Sequence, residues 1–278
     1  MTVADHEKIK STSSWAAALR AAEHSRADAF IDDSLARLLC SPSDYDEITA
    51  YPAAPTGAVV VRARLGDEVI KREVGNGVRQ VVCLGAGADT RAFRLNLPGD
   101  LHYYEVDLPG QLASRDAILA NNGCVTTCTR VPVNVDLADN WIEALSCAGW
   151  TPRRPTVWVA EGLLYYLPYQ LCDQLVDQIS LASAPRSSFV LDVPHERFLM
   201  DEYARPYRLF LERRGSPYRT ALVNPRSWLL RRGWTAQAYL SHDLRAGRCP
   251  LLPPVPDRLL NYTDIWHVTA RHPRRRKA

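Results

Sequence analysis

Residues 81–91 have the sequence VVCLGAGADTR, in which a short apolar run meets two glycines and then a stretch of helical composition. Four consecutive apolar residues are typical of a strand that is buried on both faces of a parallel sheet. Gly85 and Gly87 lack a Cβ atom, so the backbone after the strand can turn sharply and approach a ligand closely. The stretch predicts a strand, a ligand-binding turn and a helix. A tight turn without a ligand has the same pattern.

The third glycine of a dinucleotide-binding fingerprint is missing from this turn. In the G-x-G-x-x-G pattern that glycine accompanies close helix packing beneath a pyrophosphate, and Thr90 occupies its place here. A ligand without phosphate groups does not require that arrangement. The turn therefore disfavours a nicotinamide dinucleotide and is compatible with a nucleoside that carries no phosphate.

Outward from this stretch, short apolar runs alternate with helical patterns. Strands are predicted at 80–84, 101–106, 130–135, 156–160, 188–192, 234–240 and 264–270. Helices are predicted between the first five strands, at 90–95, 111–120, 141–148 and 169–182. Helices at 13–24, near 32–39 and at 59–74 precede the first strand, and a loop is predicted at 41–57. This alternation favours an α/β fold with a parallel sheet that is covered by helices on both faces.

Composition and hydropathy exclude several classes of protein. The chain has 278 residues, of which 46% are hydrophobic and 23% charged, as is ordinary for a globular protein. No apolar run approaches the ~18 residues that are needed to span a bilayer, and the N-terminus lacks the apolar core of a secretion signal. We therefore expect a soluble cytoplasmic protein without a membrane partner. No pattern indicates an oligomeric state.

The net charge of +3 is concentrated at the C-terminus. Residues 271–278 carry five cationic side chains, and without them the net charge of the chain is about −2. The remainder of the chain is therefore not a basic nucleic-acid-binding protein, and a short arginine run is typical of a solvated, disordered end. The seven cysteines show no zinc-ribbon or C-x-x-C spacing, so no metal site is predicted.

Acidic residues follow three further predicted strands, at the edge where open α/β sheets bind ligands. Asp107 lies 22 residues after Gly85, close to the spacing at which an acid accepts hydrogen bonds from ribose hydroxyls. Asp136 can accept from an adenine amino group, and the backbone N–H of Leu137 can donate to a ring nitrogen. Glu161 can pair with a ligand ammonium group. The alternatives are a solvated carboxylate at Asp107, a helix N-cap at Asp136 and a buried acid paired with an arginine at Glu161.

Five motifs occur in this order along the chain: LGAGADTRAFRL, EVDLP, VDLADNW, AEGLLYYLP and RRGWTAQ. Together they resemble the leucine carboxyl methyltransferase family of S-adenosylmethionine-dependent enzymes, and in particular its bacterial O-methyltransferase branch. The resemblance covers residues 12–271. It implies a class I methyltransferase fold, with a Rossmann-like sheet of seven strands whose last strand is antiparallel, and S-adenosylmethionine as cofactor.

The resemblance also implies a division of the chain and a set of cofactor contacts. The expected regions are an N-terminal helical lid at 1–76, a cofactor-binding α/β core at 77–196, a helical cap insert for the substrate at 197–232, strands that complete the core at 233–270 and a disordered basic tail at 271–278.

Arg62, in VVVRARLGDEVI, corresponds to the arginine that binds the methionine carboxylate. Arginine can grip a carboxylate with two parallel hydrogen bonds, a geometry that lysine lacks, although a surface helix residue is equally compatible with the position. The other implied contacts are Gly85 beneath the cofactor, Asp107 on the ribose, Asp136 and Leu137 on the adenine, and Glu161 beside the methionine group.

The acceptor decides whether methyl transfer requires a base. A carboxylate with a pKa near ~4 is already ionised at pH 7, whereas a phenol with a pKa near ~10 needs a general base. His195, just after the fifth predicted strand, is the candidate for that base or for an acceptor contact. Tyr166 is the second candidate catalytic residue, in the wall of the pocket. A hydrogen-bonded structural histidine is the alternative for His195.

The insert at 197–232 is predicted to contact the acceptor. Tyr203 and Tyr207 can pack against a flat ring, and Arg205 or Arg208 can hold an acidic group, although a solvated amphipathic helix has the same pattern. We expect a small-molecule acceptor with a carboxylate or a phenol. Methyl ester formation on a carboxylate is favoured over methylation of a phenol, and an aromatic polyketide-type acid of secondary metabolism would suit the resemblance to the bacterial branch. The alternatives are a phenol O-methyltransferase that uses a histidine base and an S-adenosylmethionine-binding enzyme that does not methylate.

Overall fold

The computed structural model of the chain describes residues 3–261 and 264–273. Within these described residues, one mixed sheet contains seven strands in the order β3-β2-β1-β4-β5-β7-β6. They are β1 Gln80–Leu84, β2 His102–Asp107, β3 Thr129–Asn134, β4 Thr156–Ala160, β5 Ser188–Pro194, β6 Thr235–Tyr239 and β7 Ile265–Arg271. Strand β7 is antiparallel to both β5 and β6, and the other paired strands are parallel. The predicted α/β sheet with an antiparallel last strand is therefore confirmed.

Helices precede the sheet, connect its strands and form the insert. The helices before the sheet are α1 Val3–His24, α2 Pro42–Thr49 and α3 Thr56–Gly75. Those between strands are α4 Arg91–Arg94, α5 Gln111–Asn121, α6 Trp141–Cys147 and α7 Tyr169–Ala182. After β5 come α8 Glu196–Met200, α9 Arg205–Arg213 and α10 Pro225–Leu230, and α11 Ser241–Arg245 follows β6. Short 3-10 turns occur at Ala36–Leu39, Leu164–Tyr166 and Asp257–Leu259. In the part of the chain that is described, none of the helices combines the length and apolar character of a bilayer span.

The prediction of a loop at 41–57 is wrong, because this segment contains α2. Ser41 precedes the helix, and its backbone N–H donates to Asp44 Oδ2 at 2.7 Å. Pro42 lies in the first turn of the helix. The backbone N–H that proline lacks would have no partner within the helix at this position. The serine and proline that suggested a loop are the start of a capped helix.

Two apolar cores cover the opposite faces of the sheet. Along β1, Val81 and Cys83 belong to the core that packs against α3. Val82 and Leu84 belong to the core that packs against α6 and α7. Successive side chains of a strand point to opposite faces, so a strand with helices on both faces must be apolar at every position. This explains the continuous apolar run with which the sequence marks β1.

A third apolar cluster joins the N-terminal helices to the insert. The Trp15 ring of α1 lies 5.1 Å from the Phe210 ring of α9, measured between centroids. Tyr51 stacks on the same Phe210 ring at 4.5 Å. Tyr207 and Phe198, both from the insert, complete the contact. The segments predicted as a lid and a cap therefore share one core.

Strand β7 extends to Arg271, the first residue of the predicted basic tail. Its guanidinium forms an ion pair with Glu73 Oε2 at 2.7 Å. The prediction of a disordered tail is therefore wrong at this residue, because the strand and an ion pair hold it. Residues 274–278 of the predicted tail lie outside the described residues.

Candidate active site

A cavity of about 550 Å³ lies at the carboxyl ends of the central strands. Its volume is in the range that small-molecule sites have. Its wall includes the turn after β1, the ends of β2 and β4, the loop after β3, and residues of α1, α3 and α4. The predicted site residues in the wall are Arg62, Gly85, Gly87, Asp107, Asp136, Leu137, Glu161 and Tyr166. Tertiary structure thus brings all seven predicted cofactor residues and one predicted catalytic residue to one space.

The turn after β1 requires its two glycines. Gly85 has a φ of +62° and Gly87 a φ of +45°, in the left-handed region that residues with a Cβ rarely adopt. A Cβ on Gly85 would also lie 3.0 Å from the Leu163 side chain, and one on Gly87 would lie 3.2 Å from Ser13. The hydroxyl of Thr90, which replaces the third glycine of a dinucleotide fingerprint, donates to a buried aspartate at 2.8 Å. The turn is therefore compact, and a hydrogen bond to a buried carboxylate holds the side chain that replaces the third glycine.

Asp107 holds this turn and also faces the cavity. Its Oδ2 accepts from the backbone N–H of Gly87 at 2.7 Å, and its Oδ1 accepts from that of Leu108 at 2.8 Å. Burial raises the pKa of Asp107, although both hydrogen bonds oppose the shift. Each carboxylate oxygen has a second lone pair, so Asp107 can still accept hydrogen bonds from ligand hydroxyls.

The loop after β3 offers a polar and an apolar contact side by side. Asp136 Oδ1 accepts from the backbone N–H of Ala138 at 2.9 Å, so the carboxylate begins a turn, as in the helix-cap alternative. The residue nevertheless lies in the cavity wall, next to Leu137 and Val135. An apolar surface with an adjacent acceptor suits a heteroaromatic ring with an amino group.

Glu161 forms a buried ion pair at the end of β4. Arg91 Nη2 donates to both carboxylate oxygens, at 3.0 and 2.8 Å. Burial raises the pKa of Glu161 to about 7, although Arg91 and Arg62 oppose this shift. Glu161 is therefore a buried acid paired with an arginine, as the alternative prediction had it. The same residue also lies in the cavity wall.

Arg91 is the centre of a buried ion network that sequence reasoning missed. Its side chain is 3% exposed, and it pairs with Asp67 at 2.7 Å and with Asp89 at 2.6 Å. Arg94 pairs with the same Asp67 at 2.7 Å and lies 3.6 Å from Asp33. Asp89, Arg91 and Arg94 belong to the LGAGADTRAFRL motif. Their burial could not be inferred from it, because charged side chains are rarely buried.

Arg62 of α3 reaches the cavity beside this network. Its Nη1 donates to the Tyr165 hydroxyl at 2.6 Å and to Asp192 Oδ2 at 3.0 Å. Its other N–H groups have no hydrogen-bond partner among the residues whose side chains the structure describes, 12–261 and 264–273. They are therefore available to a carboxylate in the cavity.

A smaller chamber of about 40 Å³ adjoins the cavity, and both spaces share Arg62, Tyr165 and Tyr166. The Tyr165 ring lies 4.7 Å from the Tyr166 ring and 4.4 Å from the Tyr218 ring. Burial raises the pKa of each of these phenols and raises that of Tyr207 to about 12. The chamber has room for roughly three water molecules. Its aromatic side chains therefore pack on one another and leave no slot for a flat ring.

Three of the four predicted acceptor residues lie elsewhere. Tyr203 is 63% exposed, Arg205 pairs with a glutamate on the surface, and Arg208 Nη1 donates to two backbone carbonyls of the insert. None of the three lines the cavity or the chamber, so the structure gives no support to their assignment as acceptor contacts. Arg205 and Arg208 lie on α9, whose apolar face is buried, and Tyr203 precedes this helix. Tyr207, on that face, does line the chamber.

His195 also lies outside both spaces. Its Nδ1 accepts from the backbone N–H of Arg197 at 3.1 Å, which caps the start of α8. Its ring contacts Trp266, and burial lowers its pKa. The structure gives no support to the prediction of a catalytic base, because this ring nitrogen accepts from a helix N–H and the residue lines neither space.

Arg219 is a cation of the cavity wall that sequence reasoning missed. Its backbone N–H donates to the Tyr165 carbonyl at 2.6 Å. No carboxylate partner of its side chain is found in the described part of the chain. The four other arginines of the wall, which have such partners, are Arg20, Arg62, Arg91 and Arg94. The insert contains many arginines, and only their positions in space distinguish this one.

Comparison with known proteins places the chain in a family. A model of the leucine carboxyl methyltransferases matches residues 13–180. A protein of Rhodococcus jostii is 33% identical over 89% of this chain and 90% of its own length. A protein of Mycobacteroides abscessus is 34% identical over 90% of this chain and 87% of its own length. The names of both proteins assign them, by inference, to the S-adenosyl-L-methionine-dependent methyltransferases.

Solved structures share the fold. A DUF574 family protein from Streptomyces avermitilis superposes with a TM-score of 0.63 and 14% identity, over 95% of this chain and 100% of its own. An inferred methyltransferase from Thermobifida fusca superposes with a TM-score of 0.59 and 15% identity, over 92% of this chain and 94% of its own. At these identities the similarity shows the fold alone. It confirms the predicted Rossmann-like methyltransferase fold.

Proposed function

The chain belongs to the leucine carboxyl methyltransferase family and uses S-adenosylmethionine, and on this premise we propose that it methylates a carboxylate oxygen of a small molecule. One observation carries the proposal. The seven residues predicted to contact the cofactor surround one cavity, and no histidine is found among the described residues that line this cavity or the adjoining chamber. A carboxylate acceptor needs no base, whereas a phenol does.

The residues of the cavity wall fit a nucleoside with a zwitterionic tail and no phosphate. The two glycines of the turn place no Cβ between the backbone and the cavity. Asp107 would hold the ribose hydroxyls, and Asp136 and Leu137 the adenine. Arg62 would hold the carboxylate of the amino-acid group, and Glu161 its ammonium. The cation and the acid that such a tail requires are therefore both present.

When bound, S-adenosylmethionine supplies a methyl group on a sulfonium, which is a good leaving group. The protein contributes by aligning the acceptor oxygen and by excluding water, and positioning of this kind is worth ~7–11 kcal/mol. Helix α1 covers part of the cavity through Thr12, Ser13 and Ala16. Because burial keeps the pKa of Tyr166 far above neutral, its hydroxyl stays protonated and can donate a hydrogen bond that orients the acceptor.

The proposed reaction can be tested with a panel of acceptors. The protein is incubated with S-adenosylmethionine whose methyl group is deuterated, and with small acids, their primary amides and matched phenols. We expect S-adenosylhomocysteine and a labelled, base-labile ester from one or more acids and no product from the amides. Labelled ethers from phenols alone would contradict a carboxylate acceptor.

The raised pKa of Glu161, about 7, predicts that cofactor binding depends on pH. Below this pKa the carboxyl group is protonated, and its proton must be removed before it can pair with an ammonium. The affinity for S-adenosylhomocysteine is therefore expected to rise about tenfold from pH 6 to pH 8 and then to level off. Calorimetry at both values measures the change. Glu161→Gln is expected to bind weakly at both, and a flat profile for the unaltered protein would contradict the assignment.

Arg219 is proposed as the cation that attracts an anionic acceptor to the cavity. For an acid that the panel identifies, Arg219→Gln is expected to raise the KM about fivefold and to change kcat less than about twofold. An exposed charge acts mainly on binding. Arg213→Gln is the matched control, since Arg213 is exposed on the same insert and lines neither space. Equal KM values for the two variants would remove Arg219 from the acceptor site.

A further inference from the structure

Asp192 contacts Arg62 and the segment that carries Glu161. The proposed function assigns these two residues to the carboxylate and the ammonium of the cofactor's amino-acid group. Asp192 lies on β5 and is 1% exposed. Its Oδ2 accepts from Arg62 Nη1 at 3.0 Å, and its Oδ1 accepts from the backbone N–H of Gly162 at 2.7 Å. Gly162 directly follows Glu161. One buried carboxylate therefore holds both the guanidinium and the segment that carries the acid.

Gly162 brings the guanidinium and this segment into direct contact. Its φ is +68°, and a Cβ at this position would lie 2.7 Å from Arg62 Nη2. The guanidinium thus packs against the bare Cα of Gly162, while its Nη1 bonds Asp192 and the Tyr165 hydroxyl. Three contacts from three segments fix one rotamer of Arg62. A group that is ordered before a ligand binds loses less entropy on binding.

Asp192 lies on a paired strand, and the side chain beside it on the neighbouring strand carries no competing positive charge. Asp192 is paired in register with His267 of the antiparallel strand β7. His267 is 2% exposed, and burial lowers its pKa to about 4, so it is neutral near pH 7. Arg62 is therefore the cation that neutralises Asp192, because the imidazole beside it does not.

We propose that Asp192 is a positioning residue for the amino-acid group of the cofactor. It presents the Arg62 guanidinium at a set angle and holds the Glu161 segment at a set distance from it, before any ligand is bound. The proposal rests on the proposed function, because it takes Arg62 as the contact to the cofactor carboxylate. Asp192 lines the smaller chamber and is absent from the wall of the larger cavity, and in this proposal it acts through Arg62 and Gly162.

The test compares two ligands that differ only in the amino-acid group. S-adenosylhomocysteine carries that group, and 5′-deoxy-5′-methylthioadenosine has the same adenine and ribose without it. Asp192→Asn is expected to raise the calorimetric Kd of S-adenosylhomocysteine about tenfold, the scale of a lost hydrogen bond to a charged group. The Kd of methylthioadenosine should change less than about twofold. A purely structural role would weaken both ligands alike, and that result, or an unchanged Kd for S-adenosylhomocysteine, would overturn the proposal.

A double-mutant cycle separates this proposal from the proposed function. In the Arg62→Ala background, adding Asp192→Asn should change the Kd of S-adenosylhomocysteine less than about twofold, because its effect passes through the missing guanidinium. A further full loss would overturn the positioning role. If Arg62→Ala alone leaves the affinity unchanged, the assignment of Arg62 in the proposed function fails instead. Should Asp192→Asn not fold, Gly162→Ala provides a second variant, since its Cβ would displace the guanidinium and should give the same ligand pattern.

Discussion

Replacing Arg91 by alanine is expected to lower the free energy of unfolding by about 3–5 kcal/mol, the cost of removing one partner of a buried ion pair. Arg91 is the partner of Asp67, Asp89 and Glu161, and its side chain is 3% exposed. Asp67 would keep Arg94, but the other two carboxylates would lose their main compensating charge. Denaturation by urea at pH 8, with the slope compared between variants, measures the loss.

A surface control and a pH series distinguish this effect from a general one. Arg213→Ala removes an exposed arginine and should change the stability by less than about 0.5 kcal/mol. The Arg91→Ala variant should regain stability as the pH falls from 8 to 6. Unpaired buried carboxyls have raised pKa values, and the stability linked to a raised pKa is lost as the pH rises through it. A loss below about 1 kcal/mol at pH 8 would show that the network does not hold this part of the fold.

Replacing Asp107 by alanine is expected to weaken the binding of S-adenosylhomocysteine by about 1.5–3 kcal/mol, the range for hydrogen bonds to a charged group. Two effects contribute. The ribose hydroxyls lose their acceptor, and the backbone N–H groups of Gly87 and Leu108 lose the carboxylate that holds the turn. Calorimetry on the folded variant gives the change directly.

The ligand dependence of the Asp107 effect is as informative as its size. Methylthioadenosine also carries the ribose, so Asp107→Ala should weaken both ligands, in contrast to Asp192→Asn. Asp139→Ala is the matched control, because Asp139 is exposed on the loop after β3 and does not line the cavity. An Asp107→Ala variant with unchanged affinity for methylthioadenosine would mean that the ribose is bound elsewhere.

The helices of the outer regions were harder to predict than the strands. The segment 41–57 was predicted as a loop from its composition, although Ser41, Pro42 and Asp44 form a capped helix start. Local residue preferences describe a segment in isolation. Helix α2 contributes Ile48 to the apolar cluster with α1 and the insert, and that contact joins residues far apart in sequence.

Single arginine side chains show the same limit of prediction from local sequence. Arg91 and Arg205 both lie at the start of short helices. The first is buried among three carboxylates, and the second is exposed beside a single glutamate. Residue type and local pattern are alike in the two cases. What differs is the set of neighbours that the fold supplies.

From the sequence alone, the strands of the sheet, the glycine turn and the acids at the strand ends could be identified. Each depends on neighbouring residues, because a strand buried on both faces must be apolar throughout and the end of a parallel strand marks the ligand edge. Only the tertiary structure decided which cations face the cavity, that His195 caps a helix, and that Asp192 holds Arg62 and Gly162. These are contacts between distant segments, and their geometry exists only when the sheet, the N-terminal helices and the insert pack together.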